Sequence, residues 1–273
     1  MLISIVIQLR AVRPALLRLH MGRANQAVVL GLLNSHDPAL AAQAHAGNGP
    51  RALTVSGLRG VQASADRVHL RAGDLCSVRV TGLTEAVSRA LAKVFLTESP
   101  PLWDLEGCTF EIVHATCSSS EDSWAGMATC EELAAAVIQG RRRMNSSITL
   151  AFASPVTFKA GQADDLHIPL PLPALVFGSL ADRWNTFSAV QLDTNLRQFA
   201  DQRVAISQYR LMSEMIPQKN RGLRVGGKGE VTYEVLEKDP YWLSVLNILA
   251  DFALYSGVGA QSATGMGQVR RTG

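Results

Sequence analysis

The sequence predicts an α+β protein made of two ferredoxin-like units in tandem. Three observations predict it. The N-terminal half reads strand, helix, strand, strand, helix, strand. A second, more divergent run of the same order follows a polar stretch near residue 120. An apolar content of 47% in 273 residues is ample for real cores.

Residues 2–9 alternate and cluster β-branched side chains, as a first strand does. Residues 24–46 carry helical periodicity, interrupted at Asn34-Ser-His-Asp-Pro38, where Pro38 can open a second short helix. Strands are expected over 52–58 and 68–80, a helix over 85–96 and a strand over 109–115. The polar segment 118–122 reads as the connector, giving domains 1–117 and 118–273. Beyond it come a helix over 130–139, ending at Gly140 and Arg141-Arg-Arg143, then a strand over 147–152 and a helix over 173–185. Strands over 205–212 and 229–235, a helix over 240–255 and a last strand over 266–271 complete the second unit.

Lys plus Arg number 26 against 23 Asp plus Glu, a formal charge of +3, so a nucleic-acid partner requires a local basic face. Cys76, Cys108, Cys117 and Cys130 form no CxxC pair and have no histidine at finger spacing; they read as reduced structural thiols, and no metal site is expected. The opening MLISIVIQLR lacks a basic leader and a cleavage-like site, and no apolar span is long enough to cross a membrane. A cytoplasmic protein is expected.

The most informative segment is GVGAQSATGMG, residues 257–267. Glycine permits positive φ and close approach of a ligand to main-chain N–H groups, so Gly257, Gly259, Gly265 and Gly267 can face phosphates, with Ser262 and Thr264 adding hydroxyls. A mobile glycine turn is the plain alternative. The segment follows a helix and leads into a strand, the reverse of a dinucleotide-binding GxGxxG loop, and it lacks the lysine of a P-loop, so no cofactor is expected.

Basic residues gather again at Lys219-Asn-Arg-Gly-Leu-Arg224 and Val225-Gly-Gly-Lys228, a pattern resembling a basic hairpin whose Arg221, Arg224 and Lys228 can hold a phosphate backbone; an ordinary solvated loop reads the same way. Arg141–Arg143 either meet RNA or cap a helix C-terminus. Of six histidines, His69 and His114 lie in strand-like runs and read as satisfied core or surface residues; His20 and His167 sit in weaker contexts, and Asp164-Asp165 reads as a loop charge pair. His45 is followed by the helix-breaking Gly47-Asn48-Gly49-Pro50 and by Arg51. An imidazole that moves protons beside a guanidinium that stabilises phosphate charge suffices for metal-free RNA cleavage.

Taken with LPLPALVFGSLADRWN at 170–185, GGKGEVTYEV at 226–235 and LNSHDPALAAQAHAGNGPRALTVSGL in the first half, the glycine segment resembles the CRISPR-associated repeat-processing endoribonucleases, the sixth numbered family of those proteins, among the repeat-associated RNA-binding proteins. That resemblance implies metal-independent cutting within repeat transcripts. His45 then matches the catalytic histidine, and Arg51 a supporting cation. The helix over 24–33 lacks the tyrosine that assists in some members, and His36 is the substitute candidate. CRISPR repeat RNA is the implied partner; effector-complex subunits and a homodimer are compatible with the family. A noncatalytic RNA-binding subunit is the rival reading. A phosphate-binding metabolic enzyme fits the motif order least well.

Overall fold

The computed structural model describes residues 1–45, 49–64, 66–159, 166–218 and 222–273, with His45 described by its backbone alone. It divides into two compact units, Met1–Met127 with Ala263–Gly265, and Ala128–Ser262 with Met266–Gly273.

The first unit begins with β1 (Leu2–Ala11), in which Ile3, Ile5, Ile7 and Leu9 alternate into a fully buried row. After the short β2 (Ala15–Arg18) come α1 (Gly22–His36) and α2 (Pro38–His45). The break foreseen at Pro38 is present; the Asp37 carboxylate accepts from the Leu40 amide at 2.9 Å and starts the second helix. β3 (Leu53–Val55) is shorter than expected, and β4 (Ala63–Ser64) was not foreseen. The single strand expected over 68–80 is two, β5 (Arg67–Leu70) and β6 (Leu75–Gly82). Between them Gly73 takes φ +88° and the Asp74 carboxylate accepts from the Arg71 amide at 2.7 Å, a turn that ends one strand before the next begins.

α3 (Glu85–Ala92), capped by Thr84, continues as a wider turn through Lys93–Glu98. β7 (Leu102–Leu105), β8 (Cys108–Thr116) and β9 (Gly126–Ala128) follow. The sheet order β3-β6-β1-β8 is that of a ferredoxin-like unit; β7 extends it beyond β8, and β9 also pairs with β1. β2, β5 and β4 form a separate small sheet. Asn25, wholly buried, joins α1 to the rest: its amide donates to the Ser56 carbonyl at 3.0 Å and accepts from the Trp103 indole at 3.2 Å.

The second unit opens with α4 (Cys130–Ile138), whose Thr129 and Glu132 close a reciprocal capping box. β10 (Ser147–Val156), β11 (Phe158–Lys159), β12 (His167–Ile168), α5 (Pro173–Phe187) and α6 (Leu196–Arg203) come next. A long hairpin, β13 (Val204–Pro217) and β14 (Leu223–Val235), leads to α7 (Pro240–Ser256) and β15 (Val269–Arg271). The sheet order β13-β14-β10-β15 repeats the ferredoxin-like pattern, so the tandem α+β fold expected from element order is the one present. Trp184 meets Phe252 edge-on at 5.2 Å, and Phe177 meets Tyr233 at 5.4 Å. These contacts fix α5 to α7 and to the sheet.

All four cysteines are free thiols; burial pushes the Cys76 thiol up to about 11. No helix among the described residues is long and apolar enough to cross a membrane.

Candidate nucleic-acid interface

The glycine segment starts where α7 ends. Gly257 has φ +62°, and its N–H still donates to the Ala253 carbonyl at 3.0 Å. The next N–H groups bind the second unit's own oxygens: Val258 to Gly267 O at 2.9 Å, Gly259 to Ser179 Oγ at 3.0 Å, Ala260 to Thr157 O at 2.8 Å. The Gly267 N–H returns to Pro155 O at 2.9 Å. A Cβ on Gly267 would overlap the Val258 carbonyl, and one on Gly259 would lie 2.5 Å from the Thr157 oxygen. Main-chain packing therefore accounts for these glycines. The expectation that they present free N–H groups is not what the geometry shows at Gly257, Gly259 and Gly267.

In the first unit, Gly265 (φ +100°) bridges to Ser56, and a Cβ on it would lie 2.9 Å from Gly22 Cα at the start of α1. Gly22 is equally constrained, because a Cβ there would overlap the Thr264 carbonyl oxygen. Composition alone gave no reason to single out Gly22.

Sequence reasoning also missed Arg183. It lies on the buried side of α5, donates from Nη1 to Ser179 Oγ at 2.5 Å, and from Nη2 to Gly259 O at 2.7 Å and Ser262 Oγ at 3.0 Å. Burial draws its pKa down to about 10, partly offset by Asp182. The readable signal was a lone cation among Leu180, Ala181 and Trp184, one helical turn after Ser179. Ser262, proposed as a phosphate donor, is buried and accepts from this guanidinium.

The hairpin stands beside the same loop. Gln261, at φ +60°, donates from its amide to the Gln218 side-chain oxygen at 2.8 Å, joining the glycine segment to the end of β13. Arg224 is half-buried on β14, and Lys228 pairs with Glu214 at 3.4 Å. Arg221 lies outside the described residues. The paired glycines of β14 answer packing too: a Cβ on Gly226 would lie 2.7 Å from Pro155 Cβ, and one on Gly227 would overlap the Pro169 oxygen. Arg142 is drawn to the buried Asp251 carboxylate at 2.8 Å, with Arg271 on the same carboxylate at 3.4 Å.

In the first unit, His45 is the last residue of α2, its side chain outside the description, and Arg51 is half-buried on the approach to β3. His36 ends α1 and pairs through Nε2 with Glu98 at 2.9 Å. His114 is exposed on β8 and bonds Glu121 at 2.7 Å, which holds that carboxyl below its usual range. Asp164 and Asp165 lie outside the described residues.

Residues 150–269 match the family model of the CRISPR-associated endoribonuclease Cas6. The matched stretch contains three of the segments that carried the resemblance, 170–185, 226–235 and 257–267, and the family expected from the sequence is the one returned. It does not include His36, His45 or Arg51. No curated protein matches the chain. Among solved structures, a Cas6 product complex aligns at TM-score 0.83 and 22% identity over 100% of both chains. Thermus thermophilus Cas6 aligns at 0.74 and 23%, over 100% of this chain and 98% of its own. A RAMP protein binding different RNA substrates aligns at 0.62 and 14%, over 99% and 100%. These likenesses show the fold, across both units.

Proposed function

We propose that this chain, whose second unit carries the Cas6 family segment, is a metal-independent endoribonuclease that cuts CRISPR precursor RNA within its repeats to yield guide RNAs. The observation that carries the reading is the family match over 150–269, on a fold shared from end to end with Cas6 structures. The relatives' names include a product complex and a substrate-mimic complex.

The reaction is an internal transfer. The ribose 2′-oxygen attacks the adjacent phosphorus, the bond from phosphorus to the 5′-oxygen breaks, and a 2′,3′-cyclic phosphate and a 5′-hydroxyl result. His45 exchanges the protons, and Arg51 stabilises the negative charge that builds on the phosphoryl oxygens. His36 is the second acid–base group. The second unit holds the RNA: Arg221, Arg224 and Lys228 meet phosphates, and the 257–267 loop supports the binding surface. Gly257, Gly259 and Gly267 serve by shaping that loop, with Ser262 locking it. Gly265 serves in the same way from its place against Gly22.

The test is cleavage of labelled repeat RNA by purified protein in excess EDTA, with His45→Ala and His36→Gln alongside. A single cut by wild type, lost in His45→Ala while binding persists, supports the reading. Tight binding without a cut assigns the chain to the noncatalytic RNA-binding subunits. Equal cutting by wild type and His45→Ala moves the catalytic centre elsewhere.

A further inference from the structure

Gly257, Gly259, Gly265 and Gly267 take positive φ at +62°, +72°, +100° and +61°, and between them Gln261 does so at +60° with a side chain. That region crowds a Cβ, which glycine lacks, so glycine is the less strained residue there. Among the described residues only Ser99 and Glu106 share this property with Gln261. Ser99 ends the wide turn after α3, and Glu106 sits in the two-residue turn between β7 and β8, where the turn itself demands positive φ. Neither reason applies to Gln261. Its side chain supplies one.

The chain on both sides of Gln261 is already fixed. Arg183 holds the Gly259 carbonyl at 2.7 Å and the Ser262 hydroxyl at 3.0 Å, and the Ala260 N–H reaches Thr157 O at 2.8 Å. From this post the Gln261 amide donates to Gln218 Oε1 at 2.8 Å. The acceptor is aimed: Gln218 Nε2 donates to Ile216 O at 3.3 Å, which leaves Oε1 to face the loop. Gln218 also closes the hairpin, its N–H donating to Gly222 O at 2.8 Å, and Ile216 is the cross-strand partner of Arg224. This end of the hairpin needs an anchor. Beyond Gly227 toward the tip, β14 pairs with β13 alone, and a two-stranded ribbon is marginal in water.

We infer that Gln261 is a positioning residue for RNA: its side chain pins the two-stranded end of the hairpin to the glycine loop, so that Arg224 meets the RNA backbone from one fixed posture. This rests on the reading of the hairpin as an RNA contact and assigns the residue that holds it in place. The side chain at 261 then serves binding more than folding. Glycine there removes the pin and relieves the backbone at once, so its two effects on stability oppose each other. An arm that the RNA itself must order binds more weakly, because the ordering is charged against affinity. Affinity falls while the fold is kept.

The test compares the full wild-type chain with Gln261→Gly, Gln218→Ala and the double variant, in thermal unfolding, RNA-free hydrogen exchange and titration with repeat RNA. Gln261→Gly is expected to melt within about 2 °C of wild type. Its amides at 215–218 and 223–225 should exchange at least about fivefold faster, and it should bind repeat RNA about fivefold more weakly. Cutting in a single turnover at saturating RNA should stay within about twofold of wild type, as expected when binding alone is lost. Gln218→Ala should weaken binding similarly and the double variant no further, because both remove one contact. Binding unchanged in Gln261→Gly, or weakened only in step with a falling melting temperature, overturns the inference. So do additive losses in the double variant. A wild type that binds no repeat RNA overturns the functional reading and this inference with it; exchange unchanged in Gln261→Gly overturns the inference alone.

Discussion

Arg183 Nη2 lies 2.7 Å from the carbonyl oxygen of Gly259, so a buried guanidinium on α5 holds the first bend of the glycine loop. The same nitrogen reaches Ser262 Oγ at 3.0 Å, and the companion Nη1 reaches Ser179 Oγ at 2.5 Å. One side chain thus joins the helix of the LADRW segment to two points of the loop, Gly259 and Ser262.

Replacing it with methionine keeps the volume and removes these bonds. Arg183→Met is expected to cost about 3 kcal/mol, since hydrogen bonds to charged groups contribute more than neutral ones and their buried partners are left unmet. RNA affinity should fall with it. Urea unfolding and RNA titration check both, and an unchanged midpoint would refute the role.

Gly267→Ala tests the loop from its main chain. The residue sits at φ +61°, and the added methyl would overlap the Val258 oxygen. Strain at positive φ alone costs about 1–3 kcal/mol. A greater loss than in Gly140→Ala is expected: Gly140, also at positive φ, has open space around it. Equal losses would mean that the overlap relaxes away.

Cys76 predicts an alkaline loss of stability. Its thiol is shifted in the folded state from 9.0 to about 11, because burial disfavours the thiolate. The unfolded chain gives up this proton more readily. The contribution is therefore whole below pH 9 and drains away as pH rises from 9 through 11, by at most about 2 kcal/mol. Cys76→Ala should flatten that slope in unfolding curves taken between pH 8 and 11.

For the basic hairpin, Arg221→Ala together with Arg224→Ala should weaken RNA binding and make it less sensitive to salt. Each lost phosphate contact removes about 0.7–0.9 from the slope of log affinity against log salt. A slope unchanged from wild type would place the RNA contacts on another surface.

The chemistry has its own check. Repeat RNA carrying a single 2′-deoxy sugar immediately upstream of the scissile phosphate should bind as tightly as the unmodified strand and remain uncut. Cleavage of that strand would exclude attack by the 2′-oxygen.

The sequence by itself determined the order of the main elements, because that order is written in local patterns: β-branched runs at 2–9 and 147–152, the break at Pro38, and the helix over 240–255. It also marked 257–267 as special, since two Gly-apolar-Gly triplets are conspicuous in any context. It did not separate β5 from β6, where one turn divides a run of strand-forming residues, and it passed over the short strands that depend on pairing partners. Only the tertiary structure decided what the glycines are for. Gly259 and Thr157 approach through folding, as do Gly267 and Val258, and no local pattern records that a carbonyl occupies the place of a Cβ. Arg183 is the same case. On a helical wheel it is a misplaced cation; in the folded unit its hydrogen bonds to Gly259 and Ser262 compensate its burial.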